Sequence, residues 1–289
     1  VDGDRPDEGL SALVARALEE DLGESGDATT RLTCPGSLRG RARIHARSAG
    51  VISGHRAARE VFRALDPGVD YRVRRGDGEA VRPEETVAVT EGPLAALLTG
   101  ERTALNFLQH LSGIATRTRL YVEALRGTGV TLLDTRKTVP GLRGLAKEAV
   151  RHGGGSNHRT GLHDMILVKE NHAAAAGGAA AALERVRKAG TDLPVEVEVR
   201  DAGELEALLP LAPDRVLLDN FDPDGLRGAL AVLEAARREG RCPEVEVSGG
   251  VTLETVRSFA LPGVDFISVG EITHSAPILD LSLLLEAPS

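Results

Sequence analysis

Ala42, Ile44 and Ala46 alternate with Arg41, Arg43, His45 and Arg47, a period of two that predicts a half-exposed strand within Arg39–Gly54. Upstream, Ala12, Leu13, Ala15, Ala17 and Leu18 recur as on one face of a short amphipathic helix. Ordered structure is therefore expected to begin near Ser11, after a polar, acidic, mobile tail over residues 1–10. Val69–Arg75 and Ala80–Val89, separated by Gly76-Asp-Gly78, predict further strands joined by turns, so the first hundred residues read as α+β. Ala104, Leu105, Leu108, Leu111 and Ala115 then recur every three or four residues, predicting a long helix that starts after Thr99 as N-cap and links two domains.

Beyond Gly129 the pattern changes. Short runs at Val130–Leu133, Met165–Val168, Val195–Val199, Arg215–Leu218, Val245–Val247 and Val264–Val269 alternate with helical segments, as parallel βαβ units do. Polar residues follow each run: Thr135, Arg136 and Lys137, then Lys169, Glu198, Asp219, Ser248-Gly249-Gly250, and Gly270-Glu271. A barrel of parallel strands gathers its active site at the carboxyl ends of many strands, whereas a doubly wound sheet uses one switch point. The barrel is favoured. Only about 155 residues separate Ala115 from Gly270, against about 250 for an eight-stranded barrel, so fewer than eight strands are expected.

Composition narrows the field. The chain has 289 residues, 42% hydrophobic content and net charge -8, enough apolar material for a sizeable core. An acidic chain with 2% aromatic residues is a poor nucleic-acid binder. Apolar runs such as Ala173–Ala182 are too short for a bilayer, and no basic-then-apolar leader precedes Ser11, so a cytoplasmic protein with no membrane partner is expected. Cys34 and Cys242 are read as free thiols.

Against that acidic background, Arg136 to Lys169 holds seven Lys or Arg and two acids, Glu148 and Asp164. Such a local reversal concentrates small anions. Arg102, Arg136, Arg159 and Lys169 are the cationic candidates, since guanidinium matches carboxylate or phosphate in a fork and Lys supplies a compact charge. Placement after strands and beside Gly-rich loops supports all but Arg102. Ser248-Gly249-Gly250, with Gly270 after the next strand, suits a phosphate cradle. Glu196 and Glu198 share one strand face, with Lys137 and Lys169 as expected counter-charges. Glu196 is read as structural; Glu198 and Asp219, at strand ends, are candidates for ligand hydroxyls, a metal or developing positive charge. His158 is a candidate for orienting a carboxylate. No zinc spacing, P-loop or Gly-x-Ser-x-Gly pattern occurs.

Together these segments resemble the quinolinate phosphoribosyltransferase family. The resemblance runs through Glu20-Asp-Leu-Gly23, Gly26-Asp-Ala-Thr-Thr30, Gly100 to Gln109, Asp134-Thr-Arg-Lys-Thr138, Pro140-Gly-Leu-Arg143 and Asn157-His-Arg159. It continues in Lys169-Glu-Asn-His172, Val195-Glu-Val-Glu198, Leu218-Asp-Asn220, Val247-Ser-Gly-Gly250 and Thr273-His-Ser275. It implies an N-terminal α/β sandwich domain over 11–114, joined by 276–289, and an open or incomplete parallel α/β barrel over 115–275. It also implies phosphoribosyl transfer from phosphoribosyl pyrophosphate to quinolinate with decarboxylation, and Mg2+ at Glu198 and Asp219. Arg136, His158, Arg159 and Lys169 would hold the quinolinate carboxylates, with Arg102 reaching in across a homodimer. Lys137 would meet pyrophosphate, Glu198 and Asp219 the ribose, and Ser248–Gly250 and Val269, Gly270 and Glu271 the 5′-phosphate. Glu271 departs from the small or basic residue the pattern suggests, which points to backbone N–H groups as the phosphate donors there. The alternatives are a relative acting on another anionic pyridine, such as nicotinate, and a non-catalytic phosphate-sugar-binding barrel.

Overall fold

The apolar and polar periods of the sequence resolve into eleven α-helices and twelve strands in a computed structural model that describes residues 8–240 and 243–286. Residues 1–7 of the expected tail and Cys242 lie outside the described residues. The chain divides into two units, Val1–Arg119 with Pro140–Gly154 and Ala276–Ser289, and Leu120–Val139 with Gly155–Ser275. In order along the chain, α1 (Glu8–Leu22), α2 (Ala28–Thr33), β1 (Arg39–Ala46), β2 (Gly50–Val51), α3 (His55–Leu65), β3 (Asp70–Val73), β4 (Ala80–Val81) and β5 (Thr86–Pro93) lead into α4 (Leu94–Ala124). Then come β6 (Thr131–Leu133), α5 (Arg143–Gly153), β7 (Ile166–Val168), α6 (Glu170–Ala176), α7 (Ala179–Ala189), β8 (Val195–Val199), α8 (Ala202–Leu208) and β9 (Arg215–Asp219). The remainder is α9 (Pro223–Arg238), β10 (Glu244–Ser248), α10 (Val256–Phe259), β11 (Phe266–Ser268), α11 (Glu271–His274) and β12 (Leu281–Leu285).

The first unit is built on an antiparallel sheet of order β12-β1-β5-β3. Ala42 and Ile44 of β1 are buried while Arg41 and Arg43 face solvent, as their alternation requires. The alternation then fails. His45 is buried as well as Ala46; the register to β5 skips one residue of β5 between Ile44 and His45, while the register to β12 runs unbroken. Helix α1 begins at Glu8, three residues before the expected start at Ser11.

Helix α4 begins at Leu94 rather than after Thr99. Strand β5 runs into it directly, and the Leu94 N–H is taken by Leu38 O at 2.9 Å, so no side-chain cap is needed at residue 99. The Thr99 hydroxyl instead donates to Asp27 Oδ2 at 3.0 Å, and Asp27 is itself the N-cap of α2. Leu97, Ala104, Leu105, Leu108, Leu111 and Ile114 form the buried stripe of α4. Gln109 Nε2 donates to Leu281 O at 2.7 Å, which ties the C-terminal strand β12 into this unit. Helix α5, expected among the barrel residues, belongs to this unit as well.

The second unit is a six-stranded parallel sheet of order β6-β11-β10-β9-β8-β7. Strands β6 and β7 are its two edges, so the barrel is open and has six strands. Val195, Val197 and Val199 of β8, Val216 and Leu218 of β9, and Val245 and Val247 of β10 are fully buried. Period two then puts Glu196 and Glu198, Arg215, Leu217 and Asp219, and Glu246 and Ser248 on the other face. This column of ionisable residues inside an apolar barrel is the frame of the site.

Candidate active site

The carboxyl ends of the six strands open into a cavity of about 630 Å³. Its walls include Thr135, Arg136, Lys137, His158, Arg159 and Lys169, together with Glu198, Asp219, Ser248, Gly249 and Gly250. These expected residues are brought together. Val269, Gly270, Glu271 and Arg102 do not line it. Val269 is buried, and its N–H is bonded to Leu133 O at 3.0 Å. Glu271 accepts the Tyr121 hydroxyl at 2.7 Å, so its carboxylate is held within the fold. Gly270 sits behind Lys137, where a Cβ would lie 3.1 Å from the lysine Cδ. Arg102 is exposed on α4, in the other unit.

The cationic wall is held by backbone contacts. Asp134, fully buried at the end of β6, accepts the His158 N–H at 2.8 Å and the Asn157 side-chain amide at 2.8 Å. Those two bonds, with the Leu133 to Ser156 bridge, dock the following loop against the strand. Arg159 Nη1 reaches Met165 O at 3.2 Å. Burial, then the neighbouring Arg136, lowers the Arg159 pKa from its ordinary value. Arg136 Nε is buried without a hydrogen-bond partner among the described residues. Two guanidiniums that repel each other, one with an unused donor, make a site suited to an anion. Lys169 Nζ lies 3.4 Å from Glu198 Oε2.

Below them sits a buried ion network. His158 Nε2 donates to Glu196 Oε2 at 2.8 Å and lies 3.3 Å from Glu246 Oε2. Arg215 Nη1 is 3.1 Å from the same Glu246 oxygen, and its guanidinium stacks over Phe266 at 4.0 Å. Burial disfavours a charged His158, but the two carboxylates outweigh it and push the imidazole up to about 9. The Arg159 N–H points at His158 Nδ1 at 2.8 Å. That contact selects the Nε2–H tautomer for the neutral ring and makes Nδ1 the atom that gains the second proton, so it opposes part of the rise. Burial raises Glu196 to about 7, against the His158 bond, with Glu246 adding repulsion. Glu246 is lowered, because His158 and Arg215 outweigh its burial. Glu196 is thus countered by His158 and Arg215, not by the expected Lys137 and Lys169. The reason is depth: Glu196 is fully buried on β8, whereas Lys169 is at the strand end beside Glu198.

Asp219 is raised by burial, then by the negative charge of Glu198. Asn220 Nδ2 donates to Asp219 Oδ2 at 2.7 Å, and the Asn220 N–H to Ser248 O at 2.9 Å. Glu246, Arg215 and Asp134 were not singled out by sequence. For the first two the signal was present, since Glu246 repeats the alternation of Glu196 and Arg215 begins the alternation that ends in Asp219.

A model of the quinolinate phosphoribosyl transferase C-terminal domain matches residues 114–284, and one of the N-terminal domain matches 27–112. The chain belongs to the quinolinate phosphoribosyl transferase family. It is similar to the nicotinate-nucleotide pyrophosphorylase [carboxylating] of Mycobacterium leprae, 44% identical over 93% of this chain and 95% of that one. The probable enzyme of the same name from Bacillus subtilis is 40% identical, over 95% and 92%. The solved nicotinate-nucleotide pyrophosphorylase of Francisella tularensis superposes with a TM-score of 0.89 at 36% identity, covering 98% of both chains. Within this family the open six-stranded barrel and the antiparallel first unit are the common fold. No helix among the described residues is long and apolar enough to cross a membrane.

Proposed function

We propose that the barrel cavity transfers the phosphoribosyl group of phosphoribosyl pyrophosphate to the ring nitrogen of quinolinate, giving nicotinate mononucleotide, pyrophosphate and carbon dioxide. That reaction is the family's, and it is this chain's activity in NAD biosynthesis. The observation that carries the residue assignment is the meeting of Arg136, His158, Arg159 and Lys169 with Glu198 and Asp219 in one cavity. Four groups that can be cationic suit two carboxylates better than one. They fix the pyridine nitrogen in line with the anomeric carbon, which is an orientation effect. Loss of pyrophosphate leaves positive charge on that carbon, and the Glu198 and Asp219 carboxylates stabilise it more than they stabilise the ground state. Lys137 is assigned to the pyrophosphate and Ser248–Gly250 to the 5′-phosphate. When the C2 carboxylate leaves as carbon dioxide, its electron pair stays at C2 beside the ribosylated, positively charged nitrogen, and a proton then adds there.

Glu198 and Asp219 fit a magnesium ion, as hard oxygen donors, with Asp219 raised by burial and then by the charge of Glu198. Bound there, Mg2+ would neutralise charge on the leaving pyrophosphate. The cluster of His158, Glu196 and Glu246 is also compact, but Arg215 already supplies its counter-charge. Arg102, outside the cavity, is assigned to the site of a partner subunit in a homodimer.

Arg159→Ala tests the reading. Removing one partner of a buried charged contact costs about 2–5 kcal/mol, so turnover of quinolinate should fall roughly 100-fold in a protein that still folds. Wild-type turnover by the folded variant would overturn the assignment.

A further inference from the structure

The ion network under the cavity has members that no substrate role explains, and Glu246 is the one that touches both of its cations. Glu246 is buried on β10, with its Oε2 shared between Arg215 Nη1 at 3.1 Å and His158 Nε2 at 3.3 Å. In the neutral ring His158 Nδ1 accepts the Arg159 N–H at 2.8 Å; once protonated, that nitrogen gives up this bond and becomes the donor the ring offers to an anion. We propose that Glu246 is a positioning residue for the dicarboxylate subsite, holding the Nε2 edge of His158 against the barrel interior so that the ring meets substrate as a fixed cation. The proposal rests on the reading of His158 and Arg159 as carboxylate ligands.

The geometry leaves few ways to do this otherwise. A lone imidazole walled into a barrel would be neutral, since burial disfavours its charge. Here β8 presents Glu196 to it and β10 presents Glu246. From β9, Arg215 faces Glu246, while β6 ends in Asp134, which accepts the His158 backbone N–H. The cations beside the ring are Arg159 and, next to Arg159, Arg136. Two carboxylates, Arg215 and a protonated His158 sum to zero charge, so the ring can carry its proton without leaving the barrel interior charged. Taking Glu246 away leaves Arg215 and His158 with one buried anion between them.

Glu246→Gln keeps the shape and removes the charge. The experiment is 15N NMR of the histidine rings in the ligand-free full chain, with His158 identified by the signals missing from His158→Gln. In the wild type the ring should stay doubly protonated above the ordinary imidazole range, and in Glu246→Gln its midpoint should fall by about one pH unit or more. The KM for quinolinate should rise about tenfold, the size of one charge-assisted hydrogen bond, with the KM for phosphoribosyl pyrophosphate within about twofold. The alkaline limb of kcat/KM for quinolinate should move to lower pH. Arg215→Gln, which leaves Glu246 unneutralised, should move the midpoint upward, and it serves as the test if Glu246→Gln does not fold. A midpoint unmoved by either variant, or a loss of stability with both KM values raised alike, would overturn the proposal. The titration is read without substrate. A midpoint that moves as expected in a protein whose wild type ignores quinolinate would overturn the dicarboxylate assignment and leave the hold of Glu246 on the ring standing.

Discussion

Gly249→Ala is a small change with a large expected effect. Gly249 has φ of 90°, where an L-residue is strained by about 1–2 kcal/mol. A Cβ there would lie 2.2 Å from Asn220 Oδ1, 2.6 Å from its Cγ and 2.8 Å from its backbone N. The side chain can swing away, but the backbone nitrogen cannot, because its N–H is bonded to Ser248 O at 2.9 Å. Forced repacking of that kind costs about 1–3 kcal/mol, so the total is about 2–5 kcal/mol. At about 2–4 °C per kcal/mol, Tm should fall by roughly 4–20 °C. Asn220 also donates to Asp219, so the push reaches the carboxylate assigned to the ribose. A misplacement of about 1 Å costs on the order of 100-fold, and it should appear in kcat and in the KM for phosphoribosyl pyrophosphate, not in the KM for quinolinate. Thermal melts and two-substrate kinetics measure both. Asn220→Gly in the same chain removes the two closest contacts, so the double variant should be more stable than the sum of the single ones by at least about 1 kcal/mol. A Gly249→Ala protein with wild-type Tm and wild-type KM for phosphoribosyl pyrophosphate would mean that the loop has room for a side chain at residue 249.

Asp164 closes the turn after Arg159 by accepting the Thr160 N–H and hydroxyl at 2.7 and 2.6 Å and the Gly161 N–H at 3.1 Å. Burial works against its charge, but these bonds hold it below its ordinary value of 3.8, so its stabilisation is present above that pH and is lost as pH falls through the folded-state value. The Tm deficit of Asp164→Asn should therefore be full at neutral pH and shrink below about pH 4; an equal deficit in melts at pH 7 and pH 3 would contradict this. Inactive Arg102→Ala and Lys169→Ala chains, mixed and allowed to exchange, should recover up to about one quarter of wild-type activity, since half the dimers are hybrid and one site in each is intact. No recovery in a mixture shown to contain hybrids would remove Arg102 from the partner's site.

The sequence made the barrel legible because its strands announce themselves twice, by β-branched runs and by the polar residue after each. The strand ends at Arg136, Lys169, Glu198, Asp219 and Ser248 all meet in the cavity. The floor was harder to read. Glu246 and Arg215 lie inside strands, where a charged residue at period two normally faces solvent, and only the curl of the open six-stranded sheet turns that face inward. The start of α4 was misplaced for a different reason: Thr99 is a good cap by type, but the hydrogen bond from Leu94 to Leu38 comes from a residue far away in sequence. His45 is buried although it alternates with Ile44 and Ala46, because both faces of β1 are covered at its end, which no local period shows. Glu271 is engaged by Tyr121, 150 positions away, a pairing no local pattern carries.

One cavity should perform both transfer and decarboxylation on a pyridine dicarboxylate. The most direct measurement follows pyrophosphate and carbon dioxide together when the purified chain is given Mg2+, phosphoribosyl pyrophosphate and either quinolinate or nicotinate. A single shared cavity should give equal amounts of both products with quinolinate, nicotinate mononucleotide as the nucleotide formed, and turnover of nicotinate lower by about 100-fold or more, the scale of an unpaired buried charge. Pyrophosphate release with nicotinate as fast as with quinolinate, or none with either, would contradict it.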